Sequence, residues 1–428
     1  MKKVLILLSV IIACNLTLDI ENCNAQWVQQ YTASQYALLN KIQFVNDNIG
    51  YAVGELSSLP KSVFLKTTNS GNNWINMNIV LSYPTDLIEM SFVNENTGYI
   101  CGRSVNIYKT TNGGANWSTI QVPYWGNQIW NSMQFLDANT GYIAGRYGMI
   151  DKTTNGGVNW LALDTSYINN SSIYDLYFFN PTTGFIGDGG SVIRKTTNGG
   201  TNWVSTLLLD TIGSGYSLQK IDFANNNTGY VVGLNTVNGA IFKTTDNGNT
   251  WKNILISPYG LLCIKVVNST TLYAGTIHNI VLYSTNSGTS WNYQTIPTNK
   301  GEINSIYFTN ATTGYLTIGN EIYRTTNGGV RVENISTEIP AAYSLSQNYP
   351  NPFNPTTVIK FCLSVAGNVV MKVYDVKGRE VETLVNERLK AGTYETMFDG
   401  SGLLSGVYYC RLEMNNNIIK TNKMILLK

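Results

Sequence analysis

The chain has 428 residues, only 13% of them charged, and a formal net charge of +2. That balance excludes an extended basic nucleic-acid surface and an acidic disordered tail, and the length suffices for two or three packed domains. With 27 tyrosines, nine tryptophans and 39 glycines against ten prolines, the composition describes an all-β, exported type of protein. His278 is the one histidine, so histidine-based metal centres and Ser/His or Cys/His nucleophile systems have almost no material. The sequence implies no cofactor and no metal.

The N-terminus reads as an address. Lys2 and Lys3 precede an apolar run from Val4 to Ala13, shorter than the roughly 20 residues of a membrane helix and of the length of a signal-peptide core. Cleavage after Ala25 is expected, which makes residues 1–25 the signal peptide. The alternative is lipidation at Cys14, because Ile11-Ile12-Ala13-Cys14 resembles a bacterial lipobox.

The middle of the chain is a repeat. TTNSGNNW, TTNGGANW, TTNGGVNW, TTNGGTNW, TTDNGNTW and STNSGTSW end at Trp74, Trp117, Trp160, Trp203, Trp251 and Trp291. Their spacing falls in the roughly 40–50-residue period of four-stranded propeller blades. A second signature, as in MSFVNENTGYICG (90–102), recurs seven times, the last being IYFTNATTGYLT (306–317). Each unit then holds four short strands; around Trp117 these are WSTIQV, IWNSMQFL, GYIAG and MIDKTT. A seventh TTNGG at Thr325–Gly329 lacks its tryptophan, while an unpaired one, Trp27, opens the chain. If Trp27 begins the missing outer strand of the last blade, residues 26–331 close into a seven-bladed β-propeller.

In the TTNGGxNW octapeptide, Asn and Gly tolerate positive φ in tight turns, and the tryptophan offers an apolar face to its neighbours. These octapeptides resemble the Asp-box of sialidase-like and sortilin-like propellers, mostly with Asn for Asp. With the preceding GY(I/V)xG strand, the unit is similar to the photosystem II assembly factor family, in which a basic patch contacts the client protein. Arg103 and Arg146, each just after the second-strand glycine of adjacent blades, are the candidates for an anion or partner site. A sialidase needs an arginine triad, and the fourth blade carries Asp188-Gly189 where a third arginine would stand. Asp137, Asp188 and Asp222 sit at different points of their repeats and read as turn or strand-edge residues, not as an acid pair. Trp125 and Trp130, in YWGNQIW, break the repeat and could form an aromatic platform for a sugar or peptide, or simply pack between blades.

At Arg331 the repeat stops. Residues 332–342 read as a linker, and residues 343–428 as a small immunoglobulin-like β-sandwich with strands at Val358–Leu363, Val369–Val376, Tyr394–Phe398, Val407–Leu412 and Ile418–Leu427. NYPNPFNPTT, YDVKGREV, LSGVYYCRL and the terminal KMILLK closely resemble the type A sorting domain of type IX secretion clients. The motif core is Tyr349, Pro350, Asn351, Pro352, Phe353, Asn354 and Pro355. The resemblance implies Sec export to the periplasm, then type IX passage to the cell surface or the medium, with the secretion machinery as partner of residues 343–428. Cys362 and Cys410 share this domain, and whether they pair is open at this stage.

Two function classes follow. The first is a non-catalytic binding module for an extracellular glycan, peptide or envelope protein, with no nucleic-acid partner. The second is a sialidase-type glycoside hydrolase, and an assembly factor for a membrane complex is a third reading. Near-uniform blades favour the first, because catalysis requires distinctive residues that break the repeat at one mouth of the ring.

Overall fold

A computed structural model describes residues 27–57, 62–83, 85–122, 128–163, 171–210, 213–328, 333–336, 338–400, 403–415 and 417–427, the side chains of residues 333, 334, 387 and 399 excepted. The expected signal segment 1–25 and Arg331 lie outside the described residues. Seven four-stranded antiparallel sheets follow one another. Their inner strands are Ala37–Phe44, Leu87–Phe92, Trp130–Phe135, Ile173–Phe178, Ser217–Phe223, Leu261–Val266 and Ile303–Phe308, in blades 1 to 7. Each inner strand packs against the next, and the seventh packs back on the first, so the ring is closed. The closure is the one expected from Trp27. Val28–Thr32 forms the outer strand of blade 7, with Val28 opposite Arg324, and the Trp27 indole donates to Gln294 Oε1 at 2.9 Å.

The repeat residues build the joints between blades. In blade 1, Tyr51 stacks on Phe92 of blade 2 with centroids 3.8 Å apart, and its hydroxyl donates to the Glu95 carbonyl at 2.7 Å. Lys66 lies over the Tyr51 ring and donates to the Gly113 carbonyl in the octapeptide turn of blade 2 at 3.1 Å. Trp117 then meets Phe92 edge-on. The stack recurs as Tyr99 on Phe135, Tyr142 on Phe178 and Tyr315 on Phe44, with Lys109, Lys152 and Arg324 in the cation's place. Burial pushes the Tyr51, Tyr99 and Tyr142 hydroxyls up to about 12, so they remain protonated donors.

Inside each octapeptide the first Thr and the Asn or Asp hold the turn. Thr153 Oγ1 accepts from Gly157 N at 2.9 Å, and Asn155 Oδ1 accepts from Asn159 N at 2.9 Å. Gly156 and Gly157 have φ of 67° and 87°, a region closed to most residues with a Cβ. The turns after the inner strands are capped in the same manner. Asn46, Asn94, Asp137, Asn180, Asn225, Asn268 and Asn310 each accept backbone N–H bonds two and three residues on.

Alternation along the inner strands leaves two rings of side chains facing the axis. One is Lys41, Glu89, Ser132, Asp175, Lys220, Cys263 and Ser305; the other is Gln43, Ser91, Gln134, Tyr177, Asp222, Lys265 and Tyr307. Glu89 takes Lys41 at 2.8 Å and Lys220 at 3.0 Å, and Lys220 reaches Asp175 at 2.8 Å. Lys265 pairs with Asp222 at 3.0 Å. Three cations and three carboxylates thus cancel around the axis. Gln43, Gln134 and Tyr307 bond the backbone of the next inner strand.

After the ring the chain forms a two-sheet sandwich. One sheet orders Glu333–Ser336, Gly392–Asp399, Thr356–Leu363 and Ser344–Leu345; the other orders Glu380–Leu389, Gly367–Tyr374, Gly406–Met414 and Asn417–Leu426. Within the expected linker 332–342, Glu333–Ser336 is therefore a strand at a sheet edge, paired with Gly392–Asp399. The strand Glu380–Leu389 was not expected from the sequence. Cys362 alternates onto the outer side of its sheet, beside Thr393 Oγ1, while Cys410 lies in the core of the opposite sheet, and both are free thiols. In the motif, Phe353 enters the core and pairs its backbone with Ile425 and Leu427, and Asn351 Oδ1 accepts from Ile425 N at 2.8 Å. Tyr349 stays 82% exposed.

Two outcomes test this account. Tyr99→Phe removes a hydroxyl that donates to the Ala138 and Gly156 carbonyls, both at 3.2 Å, and should cost about 0.5–1.5 kcal/mol in denaturant unfolding with the ring intact. Glu89→Gln leaves Lys41 and Lys220 short of a carboxylate and should cost about 3 kcal/mol at neutral pH. Burial alone would raise the Glu89 carboxyl, but the ammonium groups of Lys220 and Lys41 outweigh it and hold the carboxyl below the ordinary glutamate value. The stability it lends is present above that ordinary value and lost as pH falls through the lower folded one. The gap between parent and variant should close in the same acidic window.

Candidate functional site

The antiparallel order gives the ring two unlike faces. The octapeptide turns and the capped turns after the inner strands share the lower face. The upper face carries the connections between second and third strands and those from one blade to the next. The repeat's polar groups are largely engaged in holding the lower turns and the joints. The upper connections differ from blade to blade, and here the exposed tyrosines gather. Tyr36, Tyr83, Tyr147 and Tyr174 are 61%, 55%, 53% and 36% exposed, all at upper connections or the upper end of an inner strand. A further exposed tyrosine of the ring, Tyr293, sits on the outer strand of blade 6.

Arg103 and Arg146 both reach this face, as their place after Gly102 and Gly145 requires. Their surroundings differ. Arg103 Nε lies 3.4 Å from Asp86 and 3.6 Å from Glu55, so among the described residues two carboxylates more than cancel its charge. Arg146 opens the turn Arg146–Gly148, exposed and bearing no ion pair among the described residues. Trp125 lies outside the described residues. Trp130 is fully buried between blades 2 and 3, its indole donating to the Val105 carbonyl at 3.4 Å, so it belongs to the packing and not to a surface platform. His278 stands edge-on to Tyr259 at 5.3 Å on the upper side of blade 6. The box tryptophans Trp74, Trp117, Trp160, Trp203, Trp251 and Trp291 hold the lower joints, most of them edge-on to a phenylalanine.

The carboxylates are dispersed and occupied. Asp137 caps a lower turn, and the amides of Thr140 and Asn139 that it accepts hold its carboxyl below the usual range. Asp222 faces the axis, bonded to Lys265 and to the Val266 and Phe223 amides. Asp188 is buried in blade 4, where it pairs with Arg194 and accepts from Gly190 N and Val192 N. The axial cavity, of about 270 Å³, is lined by six charges that are paired with one another.

Of the axial charges, sequence reasoning named Asp222 alone, as a turn or strand-edge residue, and it named none of the four upper tyrosines. One axial ring is the middle residue of IQF, MSF, MQF, LYF, IDF, IKV and IYF in the recurring signature, and the other stands two residues before it. For Tyr147 the signal was a Tyr-Gly pair set between two strands, where turn chemistry favours Asn-Gly.

Comparison with known proteins follows this geometry. The sequence matches the family described as photosynthesis system II assembly factor YCF48 over residues 20–165 and 164–261, together more than half of the chain. Residues 347–427 match the secretion system C-terminal sorting domain. No sequence of a functionally curated protein matches it. Among solved structures, YCF48 bound to D1 peptide is similar at TM-score 0.56 and 18% identity, covering 71% of this chain and 97% of that one. PorZ, a surface component of the type-IX secretion system of Porphyromonas gingivalis, is similar at TM-score 0.56 and 12% identity, covering 90% of this chain and 59% of that one. The GH74 enzyme of Niastella koreensis is similar at TM-score 0.56 and 14% identity, covering 93% and 74%. At these identities the likeness is one of fold. The sorting domain marks an exported protein, delivered by type IX secretion to the cell surface or the medium. By the sequence match over its ring, the chain belongs to the photosynthesis system II assembly factor YCF48 family.

Proposed function

We propose that this is a non-catalytic recognition disc, carried by Sec to the periplasm and by type IX secretion out of the cell, which binds an extracellular partner with the upper face of its propeller. The observation that carries the reading is the gathering of Tyr36, Tyr83, Tyr147 and Tyr174 on that face. Tyrosine offers a large contact area with a polar tip and little conformational entropy to lose, and it is a preferred residue of protein recognition surfaces. The charged groups that could have supported hydrolysis have other tasks: Asp137 in a turn, Asp188 with Arg194, and Asp222 with Lys265. The D1 peptide bound to one YCF48 is a precedent for ligand binding by a ring of this fold. Family membership also supports an assembly factor, but the sorting tail takes this chain away from complexes of the inner membrane.

Two measurements test the proposal. Peptide mass spectrometry of medium, surface-shaved cells and periplasm should find the propeller outside the cell with Gln26 as its first residue. The chain from Gln26 onward, labelled and added to cells lacking the gene, should bind their surface saturably. A Tyr36→Ser, Tyr83→Ser, Tyr174→Ser variant should bind at least about tenfold more weakly, as loss of several anchor residues does. Hydrolysis of a glycan that disappears with a single carboxylate substitution would overturn the non-catalytic reading.

A further inference from the structure

Two departures from the repeat adjoin at the upper side of blades 3 and 4. Where the second strands of blades 1, 2, 3 and 5 carry Gly54, Gly102, Gly145 and Gly233, blade 4 has Asp188, whose carboxylate organises the loop Gly189-Gly190-Ser191 and pairs with Arg194. Where Asn40, Asn131 and Asn304 donate to the backbone of the next inner strand, blade 4 has Tyr174. Its ring lies so close to Gly189 that a Cβ there would stand 3.2 Å from the ring edge. The Arg146–Gly148 turn of blade 3 packs against the strand Ile173–Phe178 that bears Tyr174.

That turn is itself unusual. Tyr147 has φ 59° and ψ 25°, and Gly148 has φ 70°. Both central residues are left-handed, as a tight two-residue hairpin turn demands, and Asn or Gly fills the first position at less cost than a bulky aromatic does. A strained residue whose side chain is 53% exposed supports no core, so packing does not explain it. Beside it, Arg146 is a guanidinium without a carboxylate partner among the described residues, whereas Arg103 in the equivalent loop of blade 2 is held by Asp86 and Glu55.

We infer that the upper face of blades 3 and 4 binds an acidic polysaccharide, with Arg146 taking a uronate carboxylate and Tyr147 and Tyr174 carrying the sugar rings. The inference rests on reading the upper face as the binding surface and names its ligand class. A guanidinium offers a carboxylate two parallel hydrogen bonds, and exposed tyrosine rings give the apolar faces of pyranoses a flat support with a hydroxyl at its edge.

Affinity electrophoresis of the chain from Gln26 onward, through gels holding polygalacturonate, alginate or neutral dextran, tests this directly. The acidic polymers should retard the protein and dextran should not. Arg146→Gln and Tyr147→Gly should each weaken the retardation about tenfold, the loss of a charge-assisted pair or of one stacking ring. Tyr147→Gly should melt at or above the parent temperature, because glycine relieves the left-handed strain, so lost binding cannot be put down to lost folding. Equal retardation by dextran, undiminished retardation of both variants, or no retardation by either acid polymer would overturn the inference. If saturable cell-surface binding persists in that last case and is abolished by protease treatment of the cells, the ligand is a protein and only the ligand class has failed. If surface binding is also absent, the upper-face reading has failed with it.

Discussion

A propeller blade cannot bury both of its faces alone, and what decides this ring is how each blade grips the next. Here the grip is one repeated stack. A cation of the third strand lies on a tyrosine of the second, that tyrosine lies on a phenylalanine of the neighbouring inner strand, and the neighbour's tryptophan closes the stack edge-on. The hydroxyl and ammonium ends both terminate on carbonyls of the neighbour's turns. Each contact is small, about 0.5–1.5 kcal/mol for an aromatic pair or a hydrogen bond. Their strength is in registration, since all of them must form at once for the next blade to seat at the right angle. The composite seventh blade extends the logic to the chain ends, because Trp27 and Val28–Thr32 seat on strands made some 300 residues later.

This grip also explains why the lower face carries little information about ligands. In the structure Lys66, Lys109, Lys152 and Lys243 lie over tyrosine rings with their ammonium groups on backbone carbonyls, and burial lowers Lys152 and Lys243. Its asparagines cap turns. The axis is occupied in a similar way, with charges of opposite sign arranged around Lys220 and Glu89. Side chains free of structural duties are left on the upper connections, where loop length and residue type vary from blade to blade.

Much of this was legible because the repeat states it seven times. Blade number, strand order, the octapeptide turn and the closure by Trp27 all follow from spacing and from turn residues with a known conformational role. Three things were not legible, for separate reasons. Glu380–Leu389 is an edge strand of the sandwich whose glutamates and arginine suppress the alternation that marks a strand. The axial network joins neighbouring blades through Lys41–Glu89, Asp175–Lys220 and Asp222–Lys265 and crosses the channel through Lys220–Glu89, a long-range relation with no local trace. Arg103 and Arg146 are equivalent in sequence, and only the approach of Asp86 and Glu55 to one of them separates their electrostatics.

The sorting domain obeys a different constraint from the ring. Its last strand, Asn417–Leu426, would leave an open edge, yet the segment that begins the domain lies along it. Gln347 donates to the Lys423 carbonyl at 2.7 Å, Asn351 accepts from Ile425 N, and the Phe353 backbone pairs with Ile425 and Leu427 while its ring enters the core. An unsealed edge invites pairing with other chains. The Asn and Phe of the Pro-rich motif are therefore required by the last ten residues of the chain, and those residues by the motif. The two stretches that resemble sorting signals are one structural unit, formed only when the domain is complete. Tyr349 gives the fold its main chain, which pairs with Val358, while its side chain projects 82% exposed from that unit.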